Sequence, residues 1–127
     1  MTENEISKIV VDIAYRIHIN LGPGLLESVY ESIFAYELKK SNLDYQQQIE
    51  IPVMYDGTIF NNSLRIDLLI ENKVIVELKS VEQVLPVHKK QLLTYLKLSD
   101  KKLGLLINFN ESHIKHGITR VVNNLEE

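Results

Sequence analysis

The sequence has no cysteine, which excludes disulfides and thiolate zinc sites and fits a reducing compartment. No apolar run approaches the ~20 residues that a membrane-spanning helix needs. Residues 1–5 are acidic and lack the basic and apolar regions of a signal peptide. Basic residues are not in excess, because the formal net charge is -3, and this argues against indiscriminate nucleic-acid binding. We therefore expect a cytoplasmic protein without a membrane partner.

The remaining composition is that of one ordinary globular domain, which we assign to residues 1–127. Hydrophobic residues make up 45% and charged residues 24% of the chain. Charge is unevenly distributed, since residues 1–50 carry eight acids and four bases, whereas residues 89–102 carry five lysines and one acid. The lysine-rich segment could meet a polyanion, or it could be a solvated helix face favoured by the helix dipole.

Hydrophobic periodicity predicts a mixed α/β fold. Three- and four-residue spacing predicts a helix from Ile6 to Leu21, ended by the Gly-Pro-Gly of residues 22–24, and a second helix that ends near residues 41–42. Alternating residues predict strands 45–55, 58–70 and 74–79, the first an edge strand because of Pro52. A helix from residue 86 to about 98, a strand at 103–109 and a possible short strand at 117–122 complete the order.

Three ionisable residues interrupt the apolar strands: Asp67, Glu77 and Lys79. Ionised groups are rare in such strands unless they are paired or bind a metal, because desolvation costs several kcal/mol per ion. If the loop between the strands is residues 71–73, Asp67 lies opposite Glu77 with Lys79 on the same face. A loop of two or four residues would put the two carboxylates on opposite faces. The hypothesis of a site therefore requires an odd loop, or a bulge that restores the parity.

Two facing carboxylates and a lysine suit hydrolysis of a phosphodiester. Carboxylates ~5 Å apart repel by roughly 3 kcal/mol at an effective dielectric of 20, and a divalent cation turns this repulsion into attraction. Hard oxygen ligands in this number favour Mg²⁺ or Mn²⁺. Lys79 could position or help to deprotonate water, or stabilise the pentacoordinate charge. The alternative is a cross-strand salt bridge among Asp67, Lys79 and Glu77 on an exposed sheet face.

These residues, with the order of elements, resemble the PD-(D/E)XK nuclease superfamily. The resemblance implies a restriction-endonuclease-like αβββαβ core, here with an extra N-terminal helix, and Ile66 replaces the proline of the motif. Residues 24–30, Gly-Leu-Leu-Glu-Ser-Val-Tyr, match the signature of the GxxExxY protein family, which are small and mostly uncharacterised prokaryotic proteins.

The resemblance also implies roles for single residues. Gln91 and Tyr95 are similar to the glutamine and tyrosine that line the active site of RecB-like exonucleases, and one helical turn separates them. Glu27 resembles an early-helix acid that serves as a further metal ligand, and either Tyr30 or Glu31 could support it. The residues expected to contact nucleic acid are His88, Lys89, Lys90 and Tyr30. Each residue also has a purely structural alternative: Tyr95 could be a core aromatic, Gln91 could cap a local backbone group, and Glu27 could interact with the dipole of its helix.

The function expected from these features is phosphodiester hydrolysis by a Mg²⁺- or Mn²⁺-dependent nuclease acting on DNA or RNA. The alternative is a catalytically silent module that binds nucleic acid or a protein partner, and this partner could be a second copy of the chain. A purely structural dimerisation domain would leave the charged set unexplained. His18, His113 and His116 show no spacing typical of metal ligands, which argues against zinc.

Overall fold

The computed structural model describes residues 1–126, and only the backbone of Asn62 and Ser63. Its helices are α1 (Glu3–Leu21), α2 (Glu27–Lys40) and α3 (Pro86–Ser99). Its strands are β1 (Tyr45–Tyr55), β2 (Thr58–Ile70), β3 (Val74–Lys79), β4 (Leu103–Asn108) and β5 (Ile118–Val122), and a 3₁₀ turn spans Ile114–Gly117. The predicted order of helices and strands is confirmed, including the short final strand. No helix in this part of the chain is long and apolar enough to cross a membrane.

The five strands form one mixed sheet in the order β1-β2-β3-β4-β5. β3 and β4 are parallel and joined through α3, whereas the other neighbouring pairs are antiparallel. β1 lies at an edge, as Pro52 predicts, because a proline nitrogen cannot donate to a neighbouring strand. Every residue of β4 is buried, which places β3 and β4 at the centre of the molecule.

Helices α1 and α2 cover one face of the sheet. Helix α1 begins with a capping box, in which Glu5 N donates to Thr2 Oγ1 and Thr2 N donates to Glu5 Oε1. The apolar side chains that recur along the two helices pack on alternate residues of the central strands, which forms the larger core. Members of this core include Ile6, Val10, Ile13, Phe34, Leu38, Val74, Val76, Leu78 and Leu105.

Helix α3 covers the opposite face. Leu92, Tyr95 and Leu96 pack against the strands there, in a second core that includes Ile66, Leu69, Ile75 and Leu106. Close approach of α3 to β4 depends on Gly104, since a Cβ at that position would lie 2.9 Å from Leu92 Cδ1. The result is a layer of helix, a layer of sheet and a second layer of helix.

Two hairpin turns fix the register of β2. Asp56 and Gly57, with φ of 53° and 71°, form a left-handed turn between β1 and β2. The turn between β2 and β3 is the three-residue loop 71–73, in which Lys73 N donates to Ile70 O and Ile70 pairs with Val74. Glu71 and Asn72 both adopt positive φ there. The odd loop on which the predicted site depends is therefore confirmed.

The register of β1 on β2 shifts at Pro52. Ile51 pairs with Leu64 and Val53 pairs with Phe60, so β2 carries two residues more than β1 between these pairs. Pro52 lies opposite this bulge, where no N–H is required for the ladder. Because the shift is even, each side chain keeps its face of the sheet on both sides of the bulge.

Candidate active site

Asp67 and Glu77 meet where the strands β2 and β3 stop pairing. The ladder between β2 and β3 runs from Ile70 and Val74 to Leu68 and Val76, so these two acids are the next opposite residues. Asp67 N donates to Glu77 Oε2 at 3.2 Å, and Leu78 N donates to Asp67 Oδ2 at 2.8 Å. The carboxyl groups thus take the place of backbone acceptors, and they also lie within hydrogen-bonding reach of one another.

Burial decides the protonation of this pair. Glu77 is only 7% exposed, and the pKa of its carboxyl is raised to about 9, first by desolvation and then by the neighbouring Asp67 carboxyl. The Asp67 N–H and the Lys79 ammonium act in the opposite direction and are weaker. A raised pKa of this size favours the protonated form of Glu77 at neutral pH.

Lys79 follows Glu77 by two residues, so alternation along β3 puts both side chains on one face of the sheet. The Lys79 side chain is half-buried, and its charge acts on Glu77. Its backbone is fixed at the end of the parallel pair, where Lys79 lies opposite Asn108 and Lys79 O accepts from Phe109 N at 2.9 Å. The structure thus brings Asp67, Glu77 and Lys79 together.

Glu27 lies apart from the carboxyl pair. Its side chain is exposed, and Glu27 Oε1 accepts from Ser80 N at 3.2 Å, just beyond the end of β3. Among the described residues, no three His, Cys, Asp or Glu side chains are grouped so as to hold a metal ion. Of the three expected metal ligands, Asp67 and Glu77 therefore lie together, whereas Glu27 contacts the end of β3 through its hydrogen bond with Ser80.

Tyr30 is a packing residue, and the expectation that it contacts nucleic acid is wrong because its side chain is fully buried. Its ring stacks on Phe109 with centroids 4.3 Å apart. Its hydroxyl donates to Gly22 O at 2.6 Å and accepts from Leu25 N at 3.3 Å. Since Ser80 Oγ donates to Leu25 O at 2.6 Å, the segment before α2 is tied to the residue that follows Lys79.

Helix α3 contributes one buried and several exposed residues. Tyr95 is 7% exposed, and its pKa is raised by burial and then by the charges of Glu77 and Asp67. Gln91, one turn earlier, is exposed. His88 is half-buried, and its Nδ1 accepts from Leu85 N at 3.0 Å at the start of the helix. Lys89 and Lys90 face solvent.

Gln48 on β1 contacts the site, although sequence reasoning missed it. It has a φ of 51°, and its Nε2 donates to Asp67 Oδ1 at 3.2 Å and to Glu31 Oε1 at 2.6 Å. Gln47 Nε2 donates to the other Glu31 oxygen at 3.0 Å. The available signal was the run of three glutamines at residues 46–48, which interrupts the apolar alternation of an edge strand.

Comparison with known proteins gives two findings. A family model described as the PD-(D/E)XK nuclease superfamily matches residues 4–121. The solved structure described as SSO0001 superposes with a TM-score of 0.58 at 21% identity, over 78% of this chain and 50% of that chain. This identity indicates a shared fold alone, and the chain spans half of the SSO0001 chain. No curated protein matches.

Proposed function

The chain belongs to the PD-(D/E)XK nuclease superfamily, and from this membership we propose that it hydrolyses phosphodiester bonds of DNA or RNA. The expected fold class, a mixed α/β restriction-endonuclease-like fold, is confirmed. One observation supports the activity above all others: an Asp67–Glu77 pair in which Glu77 is buried and Asp67 half-buried, with Lys79 on the same face, where two strands separate. We also assign the chain to the GxxExxY family on the signature at residues 24–30.

The carboxyl pair fits a divalent cation, which the superfamily typically uses. Burial and the Asp67 carboxyl both raise the pKa of Glu77, and a bound cation would offset the repulsion between the two carboxyl groups. The metal ligands that the pair offers are carboxylate oxygens, which favour Mg²⁺ or Mn²⁺. Water and substrate would complete the coordination shell of the ion. When bound, the ion polarises a phosphoryl oxygen and makes water more acidic. Asp67 and Glu77 would hold it, and Glu27 could act from outside.

The other side chains of the site would contact the phosphate groups of the substrate. The Lys79 ammonium lies on the face of the carboxyl pair, where it can stabilise the charge that builds up on the phosphorus oxygens. The Tyr95 hydroxyl keeps its proton at neutral pH, because its pKa is raised, and can donate to a phosphate oxygen. Gln91, Lys89 and Lys90 extend from the same helix into solvent and can contact the adjacent backbone phosphates.

Nuclease assays on single- and double-stranded DNA and RNA, with Mn²⁺ and with Mg²⁺, test the proposal. We expect Glu77→Ala and Lys79→Ala each to lower kcat by at least about a hundredfold, the usual cost of removing a group that stabilises charge in the transition state. Lys115→Ala is the matched control, because Lys115 is exposed on the 3₁₀ turn. Cleavage that is equally fast in all four proteins would contradict the proposed mechanism.

A silent binding module is the second candidate function. It is favoured by the absence, among the described residues, of a group of three metal-binding side chains, and by the net charge of -3. Calorimetry with Mn²⁺ separates the two functions. Nucleic-acid binding without a heat of metal binding and without cleavage would establish the module and exclude the nuclease.

A further inference from the structure

Gln48 occupies a backbone conformation that few residues adopt. Its φ of 51° is in the left-handed region, which costs a non-glycine residue roughly 1–2 kcal/mol. The neighbouring pairs, Gln47 with Leu68 and Ile49 with Ile66, keep one register on both sides, so this conformation does not correct the strand pairing. It does bring the Gln48 amide next to the Asp67 carboxyl on the opposite strand.

The Gln48 amide joins two acidic groups from different layers of the fold. Its Nε2 donates to Asp67 Oδ1 on β2 and to Glu31 Oε1 on α2. Since Asp67 Oδ2 accepts from Leu78 N, both oxygens of this carboxyl are held, one by β3 and one by β1. Glu31 is likewise held through both oxygens, by Gln47 and Gln48.

We propose that Gln48 is a positioning residue of the nuclease site, which fixes the Asp67 carboxyl for the metal by anchoring it to Glu31. This inference rests on the proposed function. The amide is neutral and can donate both of its hydrogens, so it separates two carboxylates that would otherwise repel. The orientation of the Asp67 carboxyl is therefore set before metal and substrate bind. Carboxylates that bind metals are commonly oriented in this way by hydrogen bonds from neighbouring side chains.

Gln48→Asn tests the reach of the amide. Asparagine tolerates a left-handed backbone, but its side chain is one methylene shorter and cannot bridge Asp67 and Glu31. We expect calorimetry to show Mn²⁺ affinity reduced about tenfold, the typical effect of losing an outer partner of a metal ligand. For cleavage of a fluorophore-labelled oligonucleotide, kcat should fall while KM changes little.

Gln48→Glu tests the donor without changing its length. The substitution puts a third carboxylate between Glu31 and Asp67, so the melting temperature of the metal-free protein should fall. Saturating Mn²⁺ should then raise the melting temperature by more than it does in the wild type, because the cation relieves the added repulsion. A residue that merely packs β1 against α2 would not change this metal-induced shift.

Gln46 supplies the matched controls. It is exposed on the same strand, and its described hydrogen bonds include neither Glu31 nor Asp67. Gln46→Asn should keep the wild-type Mn²⁺ affinity and kcat, and Gln46→Glu should keep the wild-type metal-induced shift. Wild-type affinity and kcat in Gln48→Asn, or equal shifts in Gln48→Glu and Gln46→Glu, would overturn the role of Gln48. A wild-type protein that neither binds Mn²⁺ nor cleaves would overturn the proposed function and this role with it.

Discussion

Folding and the proposed metal site make opposite demands on the charge of Glu77, because folding favours the protonated acid and a metal ion needs the carboxylate. Its burial beside Asp67 raises its pKa to about 9, so the folded, metal-free chain prefers the protonated acid. The unfolded chain ionises the same group near its ordinary value of 4.5. Protonation therefore contributes stability that is fully present below pH ~4.5 and is lost as the pH rises toward 9.

Replacing Glu77 by glutamine should remove this loss. The amide mimics the protonated acid and carries no charge to bury, so we expect Glu77→Gln to increase the free energy of unfolding at pH 8 by up to about 5 kcal/mol, because pH 8 lies about 3.5 units above the unfolded pKa and one unit is about 1.4 kcal/mol. At pH 5 the gain should be much smaller. Urea unfolding in the presence of a chelator at both pH values measures the difference. Glu82→Gln, at an exposed acid, is the control and should show no such pH dependence.

At the scale of the elements, the end of β4 holds the end of β3 in place. Asn108 is fully buried; its Nδ2 donates to Val81 O and its Oδ1 accepts from Val81 N, at 2.9 and 3.1 Å. The next residue, Phe109, donates to Lys79 O and stacks on Tyr30. The position of Lys79 thus depends on β4 and α2 as well as on its own strand.

Gly117 is where this support is most sensitive to mutation. A Cβ at residue 117 would lie 2.2 Å from Asn108 O, a backbone atom that cannot move without disturbing the end of β4. We expect Gly117→Ala to reduce the free energy of unfolding by about 3 kcal/mol, at the upper end of overpacking costs. Gly104→Ala should cost less, because its Cβ would meet the side chain of Leu92. Thermal unfolding of both variants checks the order, and an equal loss in the two would refute the explanation.

The sequence allowed the β2–β3 hairpin to be predicted, because a three-residue loop and strict alternation determine which residues face each other. It did not allow Gln48 to be placed. Counting from the Asp56-Gly57 turn puts Gln46 opposite Asp67, and the bulge opposite Pro52 moves the partner by two residues. Nor could it place Tyr30 or Glu27, whose contacts with Phe109 and Ser80 depend on how α2 docks on the sheet.

For the molecule as a whole, the charge pattern limits where a polyanion can bind. The chain is acidic overall, with a net charge of -3, while residues 89–102 carry a net charge of +4 from five lysines and one aspartate. Lys89 and Lys90 are exposed on α3, the helix that also carries Tyr95. Binding should therefore be confined to the α3 side and should weaken steeply with salt.

Reversing two of these charges tests this orientation. We expect Lys89→Glu/Lys90→Glu to weaken nucleic-acid binding at all sequences alike and to reduce the slope of log K against log salt by about 2, roughly one for each lost phosphate contact. Lys8→Glu/Lys115→Glu changes the net charge by the same amount at exposed positions on α1 and the 3₁₀ turn. Fluorescence anisotropy at several salt concentrations measures both. An equal loss in the two double variants would show that net charge alone is responsible.

The bulge at Pro52 separates the hairpin of β1 and β2 into two parts. On one side lie Gln48 and Asp67, whose register is fixed by the tight loop after β2. On the other side lies the outer part of the hairpin, with exposed Met54, Tyr55, Ile59 and Phe60. Because the pairing of Gln48 with Asp67 is set from the loop after β2, a change in the length of this outer part would leave that pairing as it is. The outer hairpin is therefore the part of the sheet that can vary in length without moving the carboxyl pair.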